Sequence, residues 1–159
     1  MIKKTLTIIA LIFLLFNLAC TKTAKEDSGN EQIDWLTKID EAQTLARETG
    51  SNIFVHFTGS DWCHWCKKLK SEVYDKDAFI NYVSENLVTV KLDFPRNISQ
   101  SDETKVYNQE QARKYGIRGF PTVLLLDASG NEIARTGYQR GGAEKYVQHI
   151  KSLLEKNSN

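Results

Sequence analysis

Residues 52–74, NIFVHFTGSDWCHWCKKLKSEVY, decide how the rest of the chain is read. The first six are β-rich and nearly all apolar, as a strand buried on both faces requires. A turn, TGSD, then leads into a helix expected to start near Cys63. Two cysteines separated by two residues at a helix start can close a small disulfide ring while the first stays exposed. The unpaired amide N–H groups of a helix N-terminus stabilise a thiolate there, and the thiolate is the attacking form of cysteine. On this reading Cys63 is a nucleophile that forms a mixed disulfide, and Cys66, one turn inward, resolves it.

Three blander readings compete with redox chemistry. A purely structural disulfide closing so short a loop removes little chain entropy. A structural zinc site wants four ligands, and the sequence offers no second Cys/His pair. Covalent haem attachment needs a histidine directly after the second cysteine, where Lys67 stands. The redox reading is the one retained, with no metal at the pair.

Outward from the cysteines, the pattern is regular. Residues 34–49 place Leu36, Ile39, Ala42 and Ala46 at helical spacing, with Asp34 as the expected N-cap and Gly50 as the stop. Residues 77–85 read as helix and residues 87–94, LVTVKLDF, as a second buried strand. The polar stretch 95–107 reads as a loop or short helix before the helical 109–116. Strands are expected at 122–127 and 132–136, joined by a turn over Ser129-Gly130-Asn131. An amphipathic helix over 143–155 carries Tyr146, Val147, Ile150, Leu153 and Leu154 on one side. The order α, β, α, β, α, β, β, α implies an α/β domain: a mixed sheet with helices on its faces.

Residues 114–122, KYGIRGFPT, some fifty residues after WCHWC, complete a specific pair of motifs. Together they give residues 51–156 a clear resemblance to thioredoxin. The resemblance implies a thioredoxin fold, here with an extra N-terminal helix. It also implies a cis peptide between Phe120 and Pro121 beside the cysteines, an uncommon bond. There it keeps a backbone amide off the sulfurs and presents the backbone of Phe120 to an extended substrate strand. From the residues alone, Pro121 fits equally as a plain strand-start proline. The leading helix and the FTGSDWCHWC wording resemble exported thioredoxin-like proteins of bacterial envelopes. The C-terminal domain of the transmembrane carrier that feeds periplasmic reduction is similar in style.

Departures from thioredoxin are as informative. His64 and Trp65 lie between the cysteines where thioredoxin has Gly-Pro. An imidazole beside the nucleophile favours the thiolate and makes the disulfide more oxidising; a solvent-facing histidine of small effect is the alternative. Trp65 is a cover for the sulfurs or an aromatic lid with no chemistry. Trp62 matches the family tryptophan and is expected to pack beside the active site. His56 falls where the family carries a buried acid thought to relay the proton of the resolving cysteine. A buried neutral histidine could serve Cys66 with a pKa suited to the task; a hydrogen-bonded, inert core histidine fits equally. The 95–107 stretch, longer than in thioredoxin, shapes partner choice or is a solvated insertion.

The chain begins MIKKTLTIIALIFLLFNLAC. A positive start, a short apolar run and a small residue before Cys20 describe a signal peptide, and the run is short of the ~20 residues of a spanning helix. The boundary resembles the lipobox of bacterial lipoproteins, with Asn17 where leucine is usual. The expected organisation is a leader over 1–19 cleaved before a lipidated Cys20, a polar tether over 20–32 and one domain over 33–157. Lipid on Cys20 leaves Cys63 and Cys66 as a pair, so the three cysteines have no orphan.

With 21 basic and 20 acidic residues the formal charge is +1, and losing Lys3 and Lys4 with the leader moves it to about −1. No basic surplus or phosphate loop is visible, so the expectation is no nucleic acid or nucleotide partner. The resulting expectation is an exported, lipid-anchored envelope or periplasmic enzyme reducing disulfides of exported proteins. It needs a redox partner and no bound cofactor, because the dithiol itself carries two electrons. An oxidase or isomerase is the alternative argued from His64. A Cu(I)-binding module using the soft thiolates of Cys63 and Cys66, with His64, is the alternative of another class.

Overall fold

The computed structural model describes residues 32–156. The expected leader, Cys20 and all of the tether but Gln32 lie outside the described residues. Among those described, no helix is long and apolar enough to cross a membrane.

Helix α1 spans Ile39–Thr49 and buries Ile39, Ala42 and Ala46. It stops at Gly50, whose φ of 70° is left-handed backbone that a glycine adopts without a Cβ penalty. Its start differs from the expected one. The N-cap is Lys38, not Asp34. Residues 32–38 are non-helical, with Leu36 bridged in parallel to Val90. Leu36 N–H donates to the Thr89 carbonyl at 2.9 Å and its own carbonyl accepts from Lys91 N–H at 2.9 Å. Leu36 fits the helical spacing of the sequence, but the open edge of the neighbouring strand captures its backbone instead.

Strands β1 (Asn52–Thr58), β2 (Leu87–Asp93), β3 (Thr122–Leu126) and β4 (Glu132–Thr136) form one mixed sheet in the order β2-β1-β3-β4. β1 and β2 are parallel; β3 is antiparallel to both β1 and β4. The parallel pair needs a crossover. It is supplied by α2 (His64–Leu69), a π-helical turn over Lys70–Tyr74, and α3 (Asp77–Asn86). Helix α4 (Asp102–Lys114) joins β2 to β3, and α5 (Gly142–Lys156) closes the chain.

Alternation along β1 splits the core into two layers. Phe54, with Val123 and Leu125, packs under Leu69, Val73, Phe79, Tyr146 and Ile150. Ile53, Val55 and Phe57, with Val90, Leu92 and Leu124, pack under α1 and Tyr115. The stretch 95–107 is a loop over 95–101, as expected, and joins the following helix earlier than residue 109. A single helix starts at Asp102, where the Ser101 hydroxyl caps the N–H of Thr104 at 3.2 Å.

Candidate active site

The strand register brings three loops to one end of the sheet. Thr58, the last residue of β1, lies opposite Asp93, the last of β2, and Phe57 lies opposite Thr122, the first of β3. The cysteine loop, the loop after β2 and the Phe120-Pro121 loop therefore meet there. Cys63 and Cys66 form a disulfide with Cα atoms 5.2 Å apart. Cys63 is the N-cap of α2, and its Sγ accepts the backbone N–H of Cys66 at 3.2 Å. This is the kind of orphan helix-start donor that stabilises negative charge on sulfur. Both residues are buried, Cys63 6% exposed and Cys66 2%, so Cys63 is slightly the more accessible residue.

Trp62 is fixed on four sides. Its indole N–H donates to the Phe94 carbonyl at 2.8 Å, and its ring meets Phe120 edge-on at 5.9 Å. The Arg96 guanidinium lies 3.8 Å from a ring centroid. Beneath the ring sits Gly59, where any Cβ would fall 2.5 Å from the indole. The Phe120–Pro121 peptide is cis.

The loop after β2 is tied to the cysteine loop rather than free in solvent. The Asp61 carboxylate accepts from Arg96 N–H at 3.0 Å and from Asn97 N–H at 2.6 Å. Loss of hydration pushes this carboxyl up, but the backbone N–H donors of Asn97 and Arg96 outweigh it and hold it below its ordinary value. Asp93 in turn accepts from Ser60 N–H at 2.9 Å and from the Ser60 hydroxyl at 2.5 Å. The start of the 95–107 stretch is thus anchored two residues before Cys63.

His64 and Trp65 both lie at the surface side of α2, their rings 5.3 Å apart. Trp65 is 46% exposed and leans on Tyr138 at 5.2 Å. Tyr138 donates its hydroxyl to Glu72 at 2.6 Å, and Lys68 pairs with Glu72 at 3.1 Å. The hydrogen bond from Tyr138 and then that from Lys68 hold the Glu72 carboxyl below its usual value, and the same bond raises the Tyr138 phenol. Glu72 lies in the π-helical turn, where Val73 and Tyr74 are buried and its own side chain is 39% exposed.

His56 is buried beside Tyr74, ring centroids 5.0 Å apart, and Trp35. Its Nε2 has no hydrogen-bond partner among the described residues. Burial, then the nearby Lys91 ammonium, lowers its pKa from 6.5 to about 3. The imidazole is held neutral, as expected for a buried histidine, and charging it in this layer is costly.

A thioredoxin-like domain is recognised over residues 39–153. The chain belongs to the thioredoxin-like domain family. Chlamydia pneumoniae "Disulfide bond reductase DsbH" is 32% identical over 89% of this chain and 91% of its own length. A solved structure titled "DsbH Oxidoreductase" superposes with a TM-score of 0.74 at 34% identity, over 78% of this chain and 85% of that one. "Thioredoxin-related protein DsbJ" of the same organism is 29% identical over 84% of this chain, which spans 38% of that longer protein. The fold is a thioredoxin fold, and the protein is a thioredoxin-like thiol–disulfide oxidoreductase of the Dsb type with a CxxC pair.

Among the residues singled out from sequence, Trp62 and Phe120 flank the cysteine loop, while His64 and Trp65 sit on its outer side. Asp61, Asp93, Arg96, Glu72 and Tyr138 were not singled out. Asp61 in TGSD carried a signal as a turn residue, but its partners lie 35 and 36 residues further on. Among the described residues no three His, Cys, Asp or Glu side chains cluster to hold a metal ion; the two sulfurs are the soft donors on offer.

Proposed function

We propose that the protein is a disulfide reductase of the bacterial cell envelope, exported by its leader and anchored through lipid on Cys20. The observation that carries the chemistry is the Cys66 N–H donated to Sγ of Cys63, slightly the more accessible residue of the pair. On reduction that donor favours the Cys63 thiolate. The thiolate attacks one sulfur of a substrate disulfide; a mixed disulfide forms and the other substrate sulfur leaves as thiolate. Deprotonated Cys66 then attacks Cys63 Sγ, closing the Cys63–Cys66 disulfide and releasing the second substrate thiolate. Two electrons pass to the substrate, and a dithiol partner of the envelope must return them.

In this reading Phe120-Pro121 lines the path of the substrate strand, Trp62 fixes the cysteine loop, and His64 with Trp65 tunes and shields the pair. The reducing direction is supported by resemblance along nearly the whole length of a protein named a disulfide bond reductase. The envelope placement is supported by the leader ending in Ala19-Cys20. The test is the reduction potential of the pair, measured on the full chain in glutathione or dithiothreitol buffers by tryptophan fluorescence. A value near about −270 mV supports a reductase; one between about −180 and −120 mV makes it an oxidase or isomerase.

A further inference from the structure

Cys63 stands just before α2, so the helix ladder reaches it only through its carbonyl, which accepts the Lys67 N–H at 3.1 Å. On its other side it is held by a tight turn. The Cys63 N–H donates to the Gly59 carbonyl at 2.8 Å, and the Trp62 N–H donates to the same oxygen at 3.3 Å. Ser60 and Asp61, in the middle of that turn, belong to no helix or strand. Two carboxylates fix them to the neighbouring loop instead.

Asp93, the last residue of β2, accepts the Ser60 N–H at 2.9 Å and the Ser60 hydroxyl at 2.5 Å. Asp61 reaches the opposite way, into the loop after β2. Its Oδ2 accepts the Asn97 N–H at 2.6 Å and the Arg96 N–H at 3.1 Å, and its Oδ1 accepts the Arg96 N–H at 3.0 Å. Bonds of this kind, from amide to carboxylate, are about twice as strong as neutral ones. The contacts then close on themselves. The Arg96 guanidinium lies 3.8 Å from a Trp62 ring centroid, and the Trp62 indole N–H returns to the Phe94 carbonyl at 2.8 Å. Trp62 is the residue bonded to Cys63, so a shift of this frame is passed directly to the sulfur. A helix N-terminus acts strongly only within its first turn. The 3.2 Å fit of the Cys66 N–H on Cys63 Sγ is therefore what the frame has to preserve.

We propose that Asp61 is a positioning residue: by clamping the loop after β2 to the turn before Cys63, it holds Cys63 Sγ where the helix start stabilises the thiolate. The inference rests on the reading of Cys63 as the attacking thiolate and deepens it. The charge of Asp61 and its acceptor atoms work in opposite senses, since a nearby negative charge disfavours a thiolate while the clamp favours it. The two are separable because one oxygen, Oδ2, already serves both amides. Asp61→Asn keeps an acceptor there and loses the charge, whereas Asp61→Ala loses both.

The test uses the full chain, reduced, carrying either replacement and checked for wild-type secondary structure by circular dichroism. Asp61→Ser, too short to reach both amides, takes the place of Asp61→Ala if that variant does not fold. Alkylation by iodoacetamide, which reads the thiolate, is followed from pH 6 to pH 10 and assigned to Cys63 by mass spectrometry. At pH 6 Cys63 is expected to react about fivefold more slowly in Asp61→Ala than in Asp61→Asn, with the gap closing by pH 10 as the thiol ionises in both. Single-turnover reduction of a disulfide peptide at neutral pH is expected to slow by about the same factor. A clamp that merely stabilised the fold would lower the urea midpoint and leave the pH 6 ratio at one. Asp61→Ala reacting as fast as Asp61→Asn or faster, or a gap that persists at pH 10, overturns the positioning role and leaves the reductase reading standing. Wild-type protein that alkylates at Cys66 in preference to Cys63, or that reduces no disulfide peptide, overturns both.

Discussion

Lowering the pH from 8 to 5 perturbs one buried group more than any other described, and its cost can be worked out. The folded chain holds His56 neutral, with its pKa lowered to about 3, chiefly by burial and then by Lys91. The unfolded chain titrates the same imidazole at about 6.5. As pH falls through 6.5, the unfolded state binds a proton that the folded state refuses, so stability present above 6.5 is progressively lost down to about pH 3. At pH 5 the free imidazole lies about 1.5 pH units into protonation, which at about 1.36 kcal/mol per unit costs about 2 kcal/mol. Carried to pH 3, where the folded group is itself half protonated, the loss is about 4 kcal/mol. The assay is urea unfolding of the oxidised protein at pH 8 and pH 5, for wild type and for His56→Leu. The other titrating groups are common to both proteins, so the difference in pH dependence isolates His56. Wild type should lose about 2 kcal/mol more than the variant, a midpoint difference of about 1–2 M urea. Identical pH dependence would show that the imidazole charges freely in the folded state and would refute the reasoning.

Gly59→Ala should destabilise the protein by about 1–3 kcal/mol, because the new Cβ meets an indole fixed by Phe94, Arg96 and Phe120. Thermal unfolding reads the loss, and a changed Trp62 emission reads the displacement. Ser101→Ala removes the cap of α4 and should cost about 1 kcal/mol in urea unfolding. Tyr138→Phe deletes the hydroxyl donor to Glu72, so the Glu72 carboxyl should titrate at higher pH than in wild type; carboxyl NMR follows it directly.

The fold was legible where local signals and tertiary demands agree. The apolar runs of β1 and β2, the WCHWC helix start and the hairpin after Pro121 all fell where their residues placed them. The less legible segments share a cause. Leu36 suits a helix face, yet a β2 edge 50 and more residues away decided its conformation. Residues 95–107 look solvated because their anchors are backbone N–H groups reaching Asp61, which side-chain pattern does not encode. The cysteine pair was readable because its chemistry is set by adjacent residues. The Tyr138–Glu72 latch and the Arg96–Trp62 contact join residues separated by 66 and 34 positions and emerge only from the folded chain. His56 shows the same divide: its place in a buried strand was readable, but the depth of its burial and its bare Nε2 were not.

The central claim, that Cys63 attacks and Cys66 resolves, is tested most directly by trapping. Reduced Cys66→Ser protein is mixed with a disulfide-bearing substrate, and adducts are located by mass spectrometry. A covalent adduct of one substrate per chain, linked through Cys63, is the predicted result, with none formed by Cys63→Ser. No adduct on Cys66→Ser, or a stable adduct through Cys66 in the Cys63→Ser protein, would contradict it.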